Sequence, residues 1–213
     1  MAVVKVGVMG GTFDPVHNGH LAIAGEARVK LDLDEVIFIP AGQPWLKSNM
    51  IISPAADRLE MVRLAIAPYP YFKVSDIEVE REGPSYAVDT MAQLKNKLGK
   101  NSQLFFLMGW DCLEQLPKWY KIKRLIELCE LVALPRPGYS LPDLPSLDEK
   151  IPGISSKIIM LDSPRIDISA TGIRERVADG LPFSSLVPAA VERYIQDKRL
   201  YLAWKTTFTQ DSS

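Results

Sequence analysis

The chain has 213 residues, a formal net charge of −1, and is 47% apolar and 24% charged. That is the size and composition of an ordinary globular domain, able to bury a core without disulfide or metal staples. Near-zero charge excludes a global basic field for nucleic acid or an anionic membrane, no apolar run is long enough to span a bilayer, and only a local anion site is left open. Residues 1–9 lack a charged n-region and a cleavage site, so no signal peptide is expected. Cys112 and Cys129 have no metal-like spacing. Their apolar surroundings predict buried, reduced thiols in a cytoplasmic protein.

Val3, Val4, Val6 and Val8 form a β-branched run ending in Gly10-Gly11, a first strand. A loop from Thr12 to Gly19 leads into a helix that starts at Asn18 or Gly19 and runs to about Lys30. Glu35 to Pro40 is a second strand. Ser53-Pro54 predicts an N-cap and a first helical position, with Ala55, Leu59, Val62 and Ile66 facing inward. Tyr71 to Ser75 is extended, with Asp76 to Glu80 as its optional continuation. Tyr86 to Leu98 is a helix stopped by Gly99. Ser102 to Met108 is a strand, apolar throughout as in a buried parallel sheet. Short helices at Trp110 to Leu116 and Tyr120 to Leu128 precede a strand at Leu131 to Leu134.

Residues 135–152 hold five of the 16 prolines and read as a long surface loop, a candidate interface or lid. Lys157 to Leu161 returns as a strand. Ala170 to Asp179 is a helix capped by Ser169 and stopped by Gly180. Pro188 to Asp197 is the last helix, with Val191, Tyr194 and Ile195 inward. The domain is expected over 1–205, with a flexible polar tail over 206–213. Alternating strands and helices predict a single-domain α/β fold with a doubly wound parallel sheet and right-handed crossovers. Ligands of such sheets bind beyond the carboxyl ends of the strands, here the loops after Met9, Pro40, Met108 and Leu161.

The first of these loops reads Gly10-Gly11-Thr12-Phe13-Asp14-Pro15-Val16-His17-Asn18-Gly19-His20, and it contains both histidines of the chain. Its glycines admit a backbone close to a ligand, and the helix that follows offers free N–H groups and a positive dipole end. Both imidazoles can donate to phosphate oxygens. The loop is neither a P-loop nor a G-x-G-x-x-G turn. A second anion site is Ile168-Ser169-Ala170-Thr171-Gly172-Ile173-Arg174, where Ser169 caps a helix, Ile173 faces the core and Arg174 reaches the mouth of the same site. The bland alternatives are a tight turn with two surface histidines and a capped surface helix with solvated arginines.

Gly10 to His20 resembles the T/H-x-G-H signature of the nucleotidylyltransferase superfamily, and Ile168 to Arg174 resembles its Ile-Ser-x-Thr-x-x-Arg signature. Glu82-Gly83-Pro84-Ser85-Tyr86-Ala87-Val88-Asp89-Thr90, Met108-Gly109-Trp110-Asp111, Leu116-Pro117-Lys118-Trp119-Tyr120 and Arg136-Pro137-Gly138 resemble segments of the bacterial nicotinate-nucleotide adenylyltransferases. The resemblance runs from about Val6 to Tyr201 and is weakest from Tyr139 to Lys157. It implies a Rossmann-like fold of the HxGH type. It also implies transfer of AMP from ATP to nicotinate mononucleotide, giving nicotinate adenine dinucleotide and pyrophosphate in NAD biosynthesis.

The resemblance further implies residue roles. Gly10, Gly11, Thr12, Phe13, His17, Gly19 and His20 would hold ATP. Gly109 and Asp111 would join them at the ribose, and Ile168, Ser169, Thr171 and Arg174 at the phosphates. Asp14, Lys47, Tyr86, Ala87, Trp119, Tyr120 and Arg136 would face the acceptor, with Trp119 stacked on its ring. His17, His20, Lys47 and Arg174 would carry the catalysis. No protein metal site is implied, and Mg²⁺ would arrive with ATP. Two positions depart from the pattern: Leu46 stands where a Pro-Pro-His-Lys segment has histidine, and Ala87 where threonine is common. Both bear on acceptor affinity more than on reaction type. The alternatives are the amide, nicotinamide mononucleotide, or both acceptors; more remotely, a non-catalytic nucleotide-binding regulator, which a damaged phosphate site would mark. A homo-oligomer is left open.

Overall fold

The computed structural model describes residues 3–45, 51–99, 101–135, 138, 143–163 and 166–204. Its strands are β1 (Val4–Gly11), β2 (Glu35–Pro40), β3 (Phe72–Val74), β4 (Ser102–Gly109), β5 (Glu130–Leu134) and β6 (Ile158–Met160). They form one six-stranded sheet in the order β3-β2-β1-β4-β5-β6, and every pairing is parallel. The chain winds outward from β1 to β3, returns to place β4 on the other side of β1, and winds outward again. That reversal opens a crevice above the carboxyl ends of β1 and β4.

The helices are α1 (Asn18–Leu31), α2 (Ala55–Ile66), α3 (Ala87–Leu98), α4 (Trp110–Leu113), α5 (Ile122–Leu128), α6 (Leu144–Lys150), α7 (Ala170–Ala178) and α8 (Ala189–Asp197). They cover both faces of the sheet. Met9, Phe38, Phe105, Leu107 and Val132 point to one face and pack with residues of α1, α2, α7 and α8. Val6, Val8, Ile39, Leu104 and Phe106 point to the other and pack with α3, α4, α5 and α6. Two buried faces explain why these strands read as continuous apolar runs rather than alternating ones.

Three segments differ from their sequence reading. Pro54, not Ser53, is the N-cap of α2, with φ −48° and ψ 139°. Ser53 is held by its backbone instead: its N–H donates to Asp14 Oδ2 at 3.1 Å and its carbonyl accepts from Arg58 Nε at 2.9 Å. Residues 76–80 are a turn rather than a strand, closed by the Glu80 N–H on the Asp76 carbonyl at 2.9 Å. The edge strand β3 has only three residues, and its last registered pair is Phe38 with Val74. Finally, the proline-rich stretch contains α6. Asp143 Oδ1 caps it by accepting from Ser146 N–H at 3.1 Å, and Leu147 and Ile151 are buried. Pro145 sits in the first turn, where a missing N–H has no intrahelical partner to lose.

Neither cysteine forms a disulfide, but only Cys129 is buried; Cys112 is half-buried and lies on the cleft wall. Burial pushes the Cys129 thiol up to about 12. Near pH 8 a thiol reagent should therefore label Cys112 in the native chain and reach Cys129 only after unfolding. Equal labelling rates in the folded protein would contradict this burial.

Candidate active site

A cleft of about 400 Å³ lies beyond the carboxyl ends of β1 and β4. The chain leaves β1 through Gly10 and Gly11 and enters α1 at His17, whose φ of −145° and ψ of 169° make it an extended N-cap. His20 sits one turn later. The His17 N–H donates to His20 Nδ1 at 3.2 Å, and the His20 N–H donates to the His17 carbonyl at 2.9 Å. The two rings stack with centroids 3.7 Å apart, and Phe13 meets His20 edge-on at 4.9 Å. Because His20 Nδ1 accepts, the neutral ring carries its proton on Nε2. Gly19 makes room for the pair: a Cβ there would stand 3.0 Å from His17 Nδ1.

Asp14 lines the cleft, is 3% exposed, and anchors more than it offers. Its Oδ1 accepts from the Tyr201 hydroxyl at 2.7 Å, its Oδ2 from the Ser53 N–H, and its carbonyl from Arg174 Nη1 at 2.6 Å. Both carboxylate oxygens expected to face the acceptor are thus already accepting. Burial and the Asp14 charge push the Tyr201 hydroxyl upward. Ser169 caps α7 by accepting from Gly172 N–H at 3.1 Å. Arg174, buried on α7, also donates through Nη2 to Thr171 Oγ1 at 3.0 Å and lies 4.0 Å over the Trp204 ring. Burial lowers its pKa, against the nearby Asp14 charge. Ile168, Ala170 and Arg174 line the cleft, whereas Ser169 and Thr171 are exposed and not among its lining residues.

Under these loops lies Arg58, 1% exposed, which the sequence reading did not single out. Its Nη1 donates to the Thr12 carbonyl at 2.8 Å, its Nη2 to the Gly42 carbonyl at 3.3 Å, and its Nε to Ser53. Burial lowers its pKa and the Asp14 charge opposes that. A signal was present: position 58 falls on the same helical stripe as Ala55 and Val62, so a cation interrupts the inward face of α2.

The other end of the cleft is aromatic. Tyr86, the N-cap of α3, lies 4.5 Å from the Tyr120 ring and 5.9 Å from Trp45. Trp119 meets Phe106 edge-on at 5.7 Å, and its buried Nε1 has no hydrogen-bond partner among the described residues. Ala87 opens α3 here, and Gly109 and Asp111 line the wall after β4. Ser85 joins this end to the loop after β2. Its hydroxyl oxygen accepts from the Gly42 and Gln43 N–H groups at 3.0 and 3.2 Å, and its own N–H donates to the Gln43 carbonyl at 2.9 Å. Gly42 is required there, because a Cβ would stand 2.1 Å from the Glu78 carbonyl oxygen. Lys47 and Arg136, expected at this site, lie outside the described residues, as do Leu46 and the tail 206–213.

Among the described residues no three His, Cys, Asp or Glu side chains converge on a metal position, and no helix is long and apolar enough to cross a membrane. Two stacked imidazoles at one helix start and a buried arginine on a second capped helix meet at the switch point of a doubly wound sheet, a donor set suited to phosphate oxygens. Residues 8–176 match the cytidylyltransferase-like family. The chain is 52% identical to the "Probable nicotinate-nucleotide adenylyltransferase" of Dehalococcoides mccartyi (strain CBDB1), over 94% of this chain and 98% of that one. It is 44% identical to the protein of the same name from Roseiflexus sp. (strain RS-1), over 94% and 100%. Among solved structures, the nicotinic acid mononucleotide adenylyltransferase of Plasmodium falciparum shares the fold, with a TM-score of 0.75 at 16% identity, covering 93% of this chain and 97% of that one. The chain belongs to the cytidylyltransferase-like family and, within it, to the nicotinate-nucleotide adenylyltransferases.

Glu78 is a buried residue of the cleft wall that sequence reading passed over. Its Oε1 accepts from Thr90 Oγ1 at 2.6 Å. Burial raises its pKa, and the Thr90 and Ser85 hydrogen bonds oppose that. The folded chain therefore holds this proton more firmly than the unfolded one. Its contribution to stability is full at low pH and is lost as pH rises from the ordinary carboxylate range through the raised value. Glu78→Gln keeps the acceptor for Thr90 and removes the loss. Urea unfolding should show the variant gaining on the wild type as pH rises above the ordinary carboxylate range; a variant that loses ground as pH rises there would reverse the assignment.

Proposed function

We propose that the chain transfers the adenylyl group of ATP to the phosphate of nicotinate mononucleotide, giving nicotinate adenine dinucleotide and pyrophosphate. One observation carries this reading: a single cleft joins the His17–His20–Arg174 phosphate end to the Tyr86–Trp119–Tyr120 aromatic end. The acceptor phosphate is anionic at neutral pH and needs no enzyme nucleophile or base. One of its oxygens attacks the α-phosphorus in line, a new O–P bond forms, and the bond to the β-phosphate oxygen breaks. Pyrophosphate leaves with that electron pair, with no covalent enzyme intermediate.

Catalysis then rests on positioning and on charge stabilisation. His20 donates from Nε2 to a phosphate oxygen, the proton position that its Nδ1 hydrogen bond sets. His17 shares this task, and Arg174 and Lys47 offset the charge of the triphosphate and the leaving group. Gly10, Gly11, Thr12, Phe13 and Gly19 shape the bed, and Gly109 and Asp111 take the ribose. Ile168, Ser169 and Thr171 complete the phosphate end. Trp119 stacks on the pyridine ring, Tyr86, Ala87 and Tyr120 contact its carboxylate, and Arg136 serves the acceptor side. The donor set fits phosphate oxygens, so Mg²⁺ enters chelated by ATP and supplies charge neutralisation there. Asp14 is placed one step back, as the anchor of Arg174. The setting is cytoplasmic, where ATP is supplied.

The reading is tested by measuring pyrophosphate release from Mg·ATP with nicotinate mononucleotide and with its amide. The acid should be strongly preferred. Comparable rates would mean a dual-specificity enzyme with Trp45 and Ala87 reshaping the ring end, and no release with either would overturn the acceptor assignment. His20→Ala should lower turnover about 10²–10³-fold while melting near the wild-type temperature. Near-normal turnover would remove His20 from the phosphate site.

A further inference from the structure

The turn after α8 has no part in the functional reading so far, yet it reaches the phosphate end of the cleft twice. Tyr201 donates its hydroxyl to Asp14 Oδ1 at 2.7 Å, and the Trp204 ring lies 4.0 Å from Arg174 Cζ. The turn is built to make both contacts. Arg199 and Tyr201 hold positive φ values of 51° and 67°, uncommon for side-chain-bearing residues. The Trp204 N–H closes the turn on the Tyr201 carbonyl at 3.1 Å, and the two rings meet edge-on, 6.3 Å apart. Tyr201 is buried in the same apolar cluster as Ile173 and Val177 of α7, with Trp204 packed against it.

We infer that this turn is a positioning element of the ATP site: Trp204 and Tyr201 set the plane and place of the Arg174 guanidinium. The inference rests on the reading that Arg174 meets the triphosphate. A guanidinium has five donors at its edge and two bare faces. Two edge donors are fixed on Asp14 and Thr171. Each Nη carries a second N–H and Arg174 lines the cleft, so the arrangement leaves donor capacity for a ligand. Trp204 covers one face, which holds the cation by its ring quadrupole and keeps water from that side. Tyr201 acts at one remove, by fixing the residue whose carbonyl grips Nη1. Neither residue touches the reacting atoms in this scheme.

The experiment uses the full chain, with KM for ATP, KM for nicotinate mononucleotide and melting temperature measured in parallel. Trp204→Leu should raise KM for ATP about three- to tenfold and leave KM for the acceptor unchanged, and Trp204→Phe should restore most of the loss. Tyr201→Phe removes one hydroxyl and should give a smaller rise on the ATP side alone, which keeps the test open if the leucine variant folds poorly. In an Arg174→Ala background the Trp204→Leu effect should vanish. An unchanged KM for ATP in Trp204→Leu, beside a defective Arg174→Ala, overturns the inference, as does an equal rise in both KM values with a lowered melting temperature. An Arg174→Ala chain that binds ATP normally would instead overturn the assignment of Arg174 to the triphosphate.

Discussion

Two loops converge on one cleft because one buried cation reaches carbonyls in both, at either end of the longer one. Arg58 donates to Thr12 after β1, to Gly42 after β2 and to Ser53 ahead of α2. Those carbonyls lie beyond the sheet, where no strand partner could donate to them, and a buried carbonyl without a donor is costly. The guanidinium is itself desolvated, and the Asp14 carboxylate offsets its charge. Asp14 in turn fixes the Ser53 N–H, Tyr201 and Arg174. The strand ends supply the platform; this small network of opposite charges and backbone groups decides where the loops stand on it.

The cleft is divided by chemistry. At one end, helix starts and cationic or imidazole side chains suit the oxygens of a phosphate chain. At the other, Tyr86, Trp119 and Tyr120 suit a flat ring. The division follows the winding of the sheet. The loop after β1 and the start of α7 build the polar end, and the starts of α3 and of the segment after β4 build the aromatic one. Ser85 and Gly42 join the loop after β2 to the aromatic end through hydrogen bonds to backbone N–H groups. The ring end is therefore set partly by main-chain geometry that side-chain changes such as Ala87 do not remove.

Most of this architecture was legible in the residues. Strand β2 falls at Glu35–Pro40 because an apolar run ends in a residue that cannot continue the ladder, and Ser169 caps α7 as its chemistry implied. The two-histidine loop stands where a doubly wound sheet places its ligand site. What escaped was non-local. Helix α6 was hidden by proline density, although Pro145 occupies a position that tolerates it. Arg58 and Glu78 are charged residues whose burial depends on partners 46 and 12 positions away. The approach of Trp204 to Arg174 spans two helices and a turn, and no local pattern encodes it.

The hydrogen bond between Asp14 and Tyr201 joins positions 187 residues apart. It closes a loop around nearly the whole described domain. During synthesis the first strand and its histidine loop emerge early, yet Asp14 lacks this partner until the last helix and the turn after it have left the ribosome. The sheet can gather strand by strand. The polar end of the cleft cannot be finished that way, because its first-made residue waits for one of the last. The anchoring of Asp14 is thus shared between the two ends of the described chain, and a product shortened before the turn after α8 would carry the sheet and both histidines without that hydrogen bond.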